Sequence, residues 1–389
     1  MFASRPAPRS APRIAIVAGE ASGDLLGGHL IRAVHARCPN AEFYGIAGQQ
    51  MMLAGANAMF QMEKLSVSGY AEVWRHLPEL LRIRRELKKK ILLDKPDVFI
   101  GIDAPDFNLG LERVLKRHGI PTLHFVSPSI WAWRGGRIKK ILRAVSRMLV
   151  VFPFEEMIYR DAGLPVNYVG HPLADTLPDE PDRFAARKRL NLPTDVPIIA
   201  LLPGSREGEL LQHATLFVET VALLRQRFPT MRFVAPFANR TTREIFIAAL
   251  HQHADALPVQ IMNGHADYAM TAADMVLVAS GTATLEAALL KRPMVITYRV
   301  KPFTAWLMRK RAYLPWVGLP NILERDFVVP ELLQEQATAE NLARALGDLF
   351  EDVPRREKII AIFSRLHQTL KQNTAQKIAE AILPYLPCD

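Results

Sequence analysis

Short apolar runs alternate with longer amphipathic stretches along most of the chain. A first series of runs lies at 13–18, 41–48, 97–103, 121–127, 147–152 and 166–169, and a second at 197–202, 231–235, 259–262, 274–279 and 294–298. Runs of this length and β-branched character are typical of buried strands, and the stretches between them have the length of helices. The alternation predicts parallel sheets with right-handed crossovers, hence an α/β fold with two Rossmann-like, doubly wound domains.

A proline-rich, charged stretch separates the two series and is the natural place for a linker. The predicted division is a loose tail at 1–12, an N-terminal Rossmann-like domain at 13–175, a linker at 176–197, a C-terminal Rossmann-like domain at 198–355 and C-terminal helices at 356–389. We expect a cleft between the two domains, lined by the carboxyl ends of both sheets.

The turn after the run at 274–279 carries the strongest chemical signal. Ser280, Gly281 and Thr282 join a predicted strand to a predicted helix, whose free N–H groups and dipole favour phosphate. Glu286 does not have the spacing of a capping box, so it is a candidate acceptor for ribose hydroxyls. An ordinary strand-to-helix connection capped by threonine remains the alternative.

A similar turn follows the strand at 197–202. Gly204 allows close approach of a ligand, Ser205 follows it, and Arg206 supplies a guanidinium that suits a diphosphate. A surface arginine at a helix end is the alternative, although its charge there opposes the helix dipole.

The first half offers a third turn and three candidate general bases. Gly19, Glu20, Ser22 and Gly23 follow the first strand with neither dinucleotide-fingerprint nor P-loop spacing, which leaves a close approach between a ligand and the first helix. Asp103 ends another predicted strand, and Asp106 and His124 are its rivals.

Composition and net charge limit the classes of site and of binding partner that we expect. The 389 residues are 49% hydrophobic and 23% charged, as in globular proteins, and the two distant cysteines, Cys38 and Cys388, argue for a reducing compartment and against a disulfide framework or a zinc site. No apolar run is long enough to span a membrane, and the N-terminus lacks the apolar centre of a signal peptide. The net charge of +10 comes without a nucleic-acid-binding motif, so an anionic membrane surface or an anionic substrate is favoured over nucleic acid.

A basic segment at 65–93 is the candidate membrane contact. One helical face carries aromatic and apolar residues among cations, as interfacial helices do: Val67, Tyr70, Trp74 and Leu77. A second stripe, Leu80, Ile83, Leu87 and Ile91, is expected to be core. Trp306, Trp316 and the basic run 309–311 form a weaker candidate of the same kind.

Six motifs in this order resemble the lipid-A-disaccharide synthase family: 18–24, 101–108, 125–134, 202–206, 279–286 and 319–321. The resemblance runs from about Arg13 to the C-terminal helices. It implies an inverting GT-B glycosyltransferase that needs neither a metal nor another cofactor, and the sequence holds no Asp-x-Asp motif for a diphosphate-bound metal. The implied donor is UDP-2,3-diacylglucosamine, and the implied acceptor is 2,3-diacylglucosamine 1-phosphate (lipid X). The implied products are UDP and a β-1′,6-linked disaccharide 1-phosphate.

The resemblance also assigns roles to residues. It maps nucleotide binding onto the second domain at Arg206, Ser280, Gly281, Thr282, Glu286 and Asn321, and it gives the first domain the acceptor and the membrane contact. Asp103 is the favoured base. The implied location is the cytoplasmic face of the inner membrane of a Gram-negative bacterium, and a homodimer stays open. The competing functions are another GT-B enzyme using UDP-GlcNAc, either a 2-epimerase or a GlcNAc transferase, and a non-catalytic nucleotide-sugar-binding protein of the membrane surface.

Overall fold

The computed structural model describes residues 11–62, 65, 70–133, 135–252, 256–301, 305–306 and 313–387, and for residues 21, 70–77 and 132–133 it describes the backbone only. The chain divides into two compact units. The first unit comprises Met1–Asp175 with Leu370–Asp389, and the second comprises Thr176–Thr369.

The first unit is built on a seven-stranded sheet in the order β3-β2-β1-β4-β5-β6-β7, with every pair parallel. The strands are β1 (Arg13–Ala18), β2 (Glu42–Ala47), β3 (Ala56–Gln61), β4 (Val98–Ile102), β5 (Thr122–Phe125), β6 (Arg147–Val150) and β7 (Val166–Tyr168). The central strand β4 is buried along its whole length, as a parallel sheet covered on both faces requires.

Helices connect these strands, as the alternation predicts. They are α1 (Ala21–His35), α2 (Gln49–Leu53), α3 (Tyr70–Asp94), α4 (Pro105–Arg117), α5 (Ile130–Trp133), α6 (Ile138–Ala144), α7 (Pro153–Asp161) and α8 (Pro172–Thr176). In α3 the helix continues through Pro78, and Ile83, Leu87 and Ile91 are at most 1% exposed. The second stripe of the basic segment is therefore core at these three positions.

The second unit repeats the plan with a six-stranded parallel sheet in the order β10-β9-β8-β11-β12-β13. Its strands are β8 (Ile198–Leu202), β9 (Arg232–Phe237), β10 (Val259–Asn263), β11 (Met275–Ala279), β12 (Met294–Tyr298) and β13 (Glu331–Leu333). Two strands of the fold, β3 and β13, were not predicted. Both lie at a sheet edge, and their sequences, ANAMFQ and ELL, contain no β-branched residue that would mark a strand.

The helices of the second unit are α9 (Arg183–Arg189), α10 (Glu207–Arg227), α11 (Arg240–Gln252), α12 (Ala266–Ala272), α13 (Thr282–Leu289), α14 (Leu319–Glu324), α15 (Ala339–Glu351) and α16 (Val353–Leu370). The region predicted as a linker, 176–197, contains α9 and falls within this unit. The Arg187 guanidinium on α9 is buried and pairs with Asp274, which precedes β11, at 2.7 Å.

The last helix, α17 (Thr374–Ile382), belongs to the first unit, where it packs against α1. The Asp175 carboxylate accepts hydrogen bonds from the N–H groups of Asn373 and Thr374, at 3.1 and 2.7 Å, and so satisfies the start of this helix. Near the C-terminal end of α1, Cys38 is buried and disulfide-bonded, so the expectation against disulfides is wrong for this residue.

Candidate functional site

The turn after β11 has the backbone that only glycine adopts easily. Gly281 has φ 141° and ψ −164° and immediately precedes α13, and a Cβ at this position would touch nothing within 4 Å. The constraint is therefore conformational and not steric. Gly281 and Thr282 are exposed, so the first N–H groups of α13 are accessible for an anion.

Glu286 lies one turn inside α13 and is unusual among the acidic residues of this unit. Burial, with a smaller contribution from Asp267, raises the pKa of Glu286 from 4.5 to about 7. Within the described part of the chain, no hydrogen bond or ion pair to its carboxyl group is present. A carboxyl group held out of water without partners is a candidate for ligand binding.

The turn after β8 starts beside the turn after β11, because Leu202 and Val278 are register partners in adjacent parallel strands. Gly204 has φ 134°, and a Cβ there would lie 2.6 Å from the Glu209 Cβ. The Glu209 carboxylate accepts a hydrogen bond from the Ser205 N–H at 3.0 Å and faces the Arg206 guanidinium at 3.8 Å. This carboxylate, in the first turn of α10, offsets the unfavourable charge of Arg206 at the helix start. The Arg206 side chain remains 62% exposed.

Sequence reasoning missed His213, which ties this turn to the end of β12. Its Nδ1–H donates to the Pro203 carbonyl at 2.9 Å, and its Nε2 accepts from the Arg299 N–H at 2.9 Å. These bonds require the neutral ring, and burial lowers the pKa of His213 in the same direction. The only signal in the sequence is a histidine on the apolar face of a helix, which does not distinguish this role from core packing.

A third segment, 317–321, joins the turn after β11 through polar side chains. The Ser280 hydroxyl donates to the Val317 carbonyl at 3.3 Å, and the Thr284 hydroxyl accepts from the Leu319 N–H at 3.2 Å. Glu331, also missed from sequence, accepts from the N–H groups of Val317 and Gly318 at 2.9 Å. The structure thus brings the predicted residues of 280–286 close to α14.

Asn321, to which the resemblance assigns nucleotide binding, has its side chain bonded within its own unit. Its side chain is fully buried, and both amide hydrogens are used, one on the Val329 carbonyl at 2.9 Å and one on Glu331 at 2.8 Å. Its Oδ1 accepts from the Val329 N–H at 3.0 Å. The side chain therefore fixes the shape of this segment.

In the first unit, the turn after β4 holds Asp103 in a strained conformation. Asp103 and Ala104 have φ of 49° and 43°, a left-handed conformation that is costly for residues with a Cβ. The Asp103 N–H donates to the Phe125 carbonyl at 2.9 Å. A Cβ on Gly19 would lie 2.5 Å from the Ala104 Cβ, so glycine allows the turn after β1 to lie against this one.

The remaining candidate residues of the turn after β1 lie at the start of α1. Glu20 and Ser22 are exposed, and a Cβ on Gly23 would meet Ala18 and Ile102 at ordinary contact distance. The structure therefore places the predicted residues 19–23 beside Asp103 on one edge of the sheet.

The two rivals of Asp103 occupy different environments. Asp106 is 84% exposed and pairs with Arg137 at 2.7 Å. His124 is fully buried in β5, and its Nδ1 lies 2.7 Å from the Glu112 carboxylate. Asp103 is partly exposed at the end of a strand, so it combines access with a fixed backbone.

The motif at 125–134 is bonded to a buried acidic residue outside it that the sequence did not reveal. Glu155, in the first turn of α7, accepts from the Trp131 indole N–H at 2.9 Å and from the Phe152 N–H at 3.2 Å. Burial raises the pKa of Glu155 to about 7. This arrangement anchors α5 to α7 at the carboxyl ends of β5 and β6.

The candidate membrane residues lie partly outside the described residues. Val67 and the basic run 309–311 lie outside the described residues, and for Tyr70, Trp74 and Leu77 the helical backbone alone is described. Trp306 is 50% exposed, whereas the Trp316 ring packs edge-on against Phe327. Among the described residues, no helix has the length and apolar character needed to cross a bilayer.

Comparison with known proteins shows the family. A family model described as lipid-A-disaccharide synthetase matches residues 14–383. The lipid-A-disaccharide synthase of Azoarcus sp. (strain BH72) is 57% identical over 377 residues, which cover 97% of this chain and 96% of that protein. The synthase of Dechloromonas aromatica (strain RCB) is 55% identical, covering 97% of this chain and 99% of its own length.

Solved structures of more distant proteins share the fold. A UDP-GlcNAc 2-epimerase from Neisseria meningitidis bound to UDP-GlcNAc superimposes with a TM-score of 0.65 at 12% identity, covering 96% of this chain and 99% of that one. The kitacinnamycin glycosyltransferase gives 0.61 at 16% identity, covering 97% and 100%. These likenesses establish the two-domain GT-B architecture, and the epimerase alternative is not favoured against synthases identical at more than half of their positions. The chain therefore belongs to the lipid-A-disaccharide synthase family of glycosyltransferases.

Proposed function

We propose that this chain transfers the diacylglucosamine unit of UDP-2,3-diacylglucosamine to the 6-hydroxyl of lipid X, with inversion at the anomeric carbon. The family match over nearly the whole chain supports this reaction. The observation that carries the mechanism is the strained, partly exposed Asp103 at the end of β4.

In the proposed step, the Asp103 carboxylate takes the proton from the acceptor 6-hydroxyl. The oxygen forms a bond to the anomeric carbon of the donor while the bond from that carbon to the β-phosphate oxygen breaks, and the electron pair leaves with UDP. Attack from the face opposite the leaving group converts an α-linked donor into a β-linked product. Asp103 ends the step protonated and returns its proton to water.

The second unit is proposed to hold the donor nucleotide. The N-termini of α10 and α13 and the exposed Arg206 guanidinium are fixed positive groups that favour the diphosphate and the charge that develops on leaving UDP. Glu286 is proposed to accept hydrogen bonds from the ribose hydroxyls. Asn321 is proposed to act through the shape of the segment 317–321.

The first unit is proposed to receive the acceptor and to contact an anionic membrane through the start of α3. Both substrates carry acyl chains, and a basic helix with apolar residues at its start suits a lipid interface. We propose a peripheral position on the cytoplasmic face of the inner membrane of a Gram-negative bacterium, and sedimentation tests whether the chain forms a homodimer.

The test of the reaction is to incubate the purified protein with both acylated sugars and to follow UDP and the disaccharide. Omission of lipid X should abolish UDP release, because the protein is not expected to hydrolyse or epimerise the donor by itself. Turnover of UDP-GlcNAc alone, or tight UDP binding with no disaccharide, would contradict the proposal.

The test of the base is Asp103→Asn, with Asp106→Asn as the matched control three residues away. Asparagine keeps the shape but does not take the proton, so turnover should fall by about 10²–10⁴-fold. The dissociation constant for UDP should not change, because the nucleotide binds to the second unit. Near-full turnover of Asp103→Asn, or an equal loss in Asp106→Asn, would show that the base lies elsewhere.

A further inference from the structure

A buried polar cluster lies next to Asp103, and the proposed reaction does not use it. Asn108 and Glu112 on α4 and His124 on β5 are all fully buried. Polar and charged side chains are costly to remove from water, so a group of three in one place needs either a structural or a functional reason.

Asn108 holds the turn that carries Asp103. Its Nδ2 donates to the Asp103 carbonyl at 2.8 Å and approaches the Ile102 carbonyl at 3.5 Å. Asp103 and Ala104 are consecutive left-handed residues with side chains, a conformation that persists only where surrounding contacts determine it. The Asn108 amide is such a contact.

Glu112 reaches His124 because the strand between them has no side chain at the crossing point. Gly101 on β4 is the register partner of His124, and a Cβ on Gly101 would lie 2.2 Å from the Glu112 Oε1. The His124 Nδ1 donates to this oxygen at 2.7 Å. Nε2 of His124 has no partner among the residues that the structure describes, so the Glu112 bond alone orients the ring.

The carboxylates around His124 favour its protonated form. Burial by itself lowers the pKa of His124, but the Glu112 and Asp103 carboxylates raise it, and the net result lies above the usual 6.5. Within the described chain, Glu112 on α4 and Asp103 at the end of β4 are the charged groups that act on the ring, and the neighbouring strand β6 presents Met148. Both carboxylates therefore favour the protonated ring, and the Glu112 oxygen lies 2.7 Å from its Nδ1.

We infer that Asn108, Glu112 and His124 are positioning residues for Asp103: Asn108 fixes its backbone, and the Glu112–His124 pair keeps a charge of opposite sign beside its carboxylate. The inference rests on the proposed role of Asp103 as the base. A carboxylate that is oriented before the acceptor arrives needs less reorganisation during proton transfer, which is the advantage of a preorganised site.

The first experiment is Glu112→Gln, which keeps an oxygen to accept the Nδ1–H but removes the negative charge. We expect kcat to fall by up to about 100-fold, as misplaced catalytic groups do, with KM for both substrates and the UDP dissociation constant unchanged. His124→Gln should lower kcat similarly, and the double variant should be no worse than either, because the two residues act through one charge.

The second experiment observes the ring directly. Nitrogen-15 NMR of His124 in the full chain should show a higher pKa in the wild type than in Glu112→Gln, because the Glu112 carboxylate raises it. Asp103→Asn should also lower the pKa of His124, because it removes one of the two carboxylates that raise it. This measurement stands even if the Glu112 variant does not fold.

Lys116→Met is the matched control for lost stability. Lys116 lies one turn beyond Glu112 on α4, and its Nζ donates to the Leu142 and Val145 carbonyls, at 3.1 and 2.6 Å. The variant should melt at a lower temperature with unchanged kcat below melting, because it breaks tertiary bonds without touching the cluster.

Three results would overturn the inference: wild-type kcat in Glu112→Gln, a loss of kcat equal to that of a Lys116→Met protein of the same melting temperature, or a His124 titration that Asp103→Asn does not move. Failure of the proposed function has a different signature. In that case Asp103→Asn itself keeps full turnover, whatever the His124 ring shows.

Discussion

Substitution of Glu286 distinguishes most sharply between a structural and a ligand-binding role for a candidate site residue. Its carboxyl group lies in the second unit one turn inside α13, and burial raises its pKa from 4.5 to about 7. The substitution Glu286→Gln keeps the size and the planar shape of the side chain and removes its ability to ionise.

The effect on stability follows from the direction of this shift. The folded-state pKa lies above the unfolded value, so the native state binds the proton more tightly, and the resulting stability is complete below about pH 4.5 and lost as the pH rises through 7. A rise from 4.5 to about 7 corresponds to about 3 kcal/mol. Because glutamine does not ionise, Glu286→Gln should be more stable than the wild type by up to about 3 kcal/mol at pH 8, and equal to it near pH 4.5.

The effect on binding has the opposite sign. If the ionised carboxylate accepts the ribose hydroxyls, nucleotide binding at low pH must first expel a proton. With a pKa of about 7, affinity should fall about 30-fold between pH 8 and pH 5.5 in the wild type. Glu286→Gln should bind the nucleotide weakly at both pH values. Its binding free energy should be less favourable than that of the wild type at pH 8 by roughly 1.5–3 kcal/mol.

Calorimetric titration and thermal melts at both pH values test the two effects together. UDP-GlcNAc is the better probe, because its diphosphate, unlike that of UDP, has no proton to lose in this range. Glu219→Gln, on the exposed face of α10, should change neither quantity. A Glu286→Gln protein that binds UDP-GlcNAc as tightly as the wild type at pH 8, or that is less stable there, would refute the reasoning.

Three further predictions concern the charge and the lipid side of the reaction. Arg206→Ala should weaken UDP binding by about 10–100-fold through loss of a charged contact, whereas Arg240→Ala, at a more exposed position on α11, should not; equal effects would remove Arg206 from the site. Turnover should persist in excess EDTA, because fixed dipoles and Arg206 are proposed to stabilise leaving UDP; loss of activity restored by magnesium would contradict this. A fourfold serine variant of the basic segment, at Val67, Tyr70, Trp74 and Leu77, should detach from anionic vesicles without unfolding. Leu93→Ser, at the far end of α3, should leave the protein bound to the vesicles. Unfolding of the fourfold variant would instead place these residues in the core.

The sequence alone predicted two parallel sheets with helical connections and the turns that hold the candidate site residues. Hydrophobic runs and helical stretches are local patterns. A parallel arrangement of the strands then places all their carboxyl ends at the same end of the sheet. Gly204, Gly281 and Asp103 could be identified because each lies at the end of such a run or two residues beyond it. The strands that escaped prediction, β3 and β13, are edge strands with little apolar pattern of their own.

Only the tertiary structure decided which polar residues are free to act. Asp103, Asp106 and His124 look equivalent along the chain, but one is partly exposed, one lies in water and one is buried against Glu112. In the same way, Asn321 has its side chain fully bonded, while Glu286 is desolvated and its pKa raised. Burial and ion pairing depend on contacts between residues of different elements, such as Gly101 on β4, which leaves room for Glu112 on α4. A local sequence pattern does not predict which residues will make such contacts.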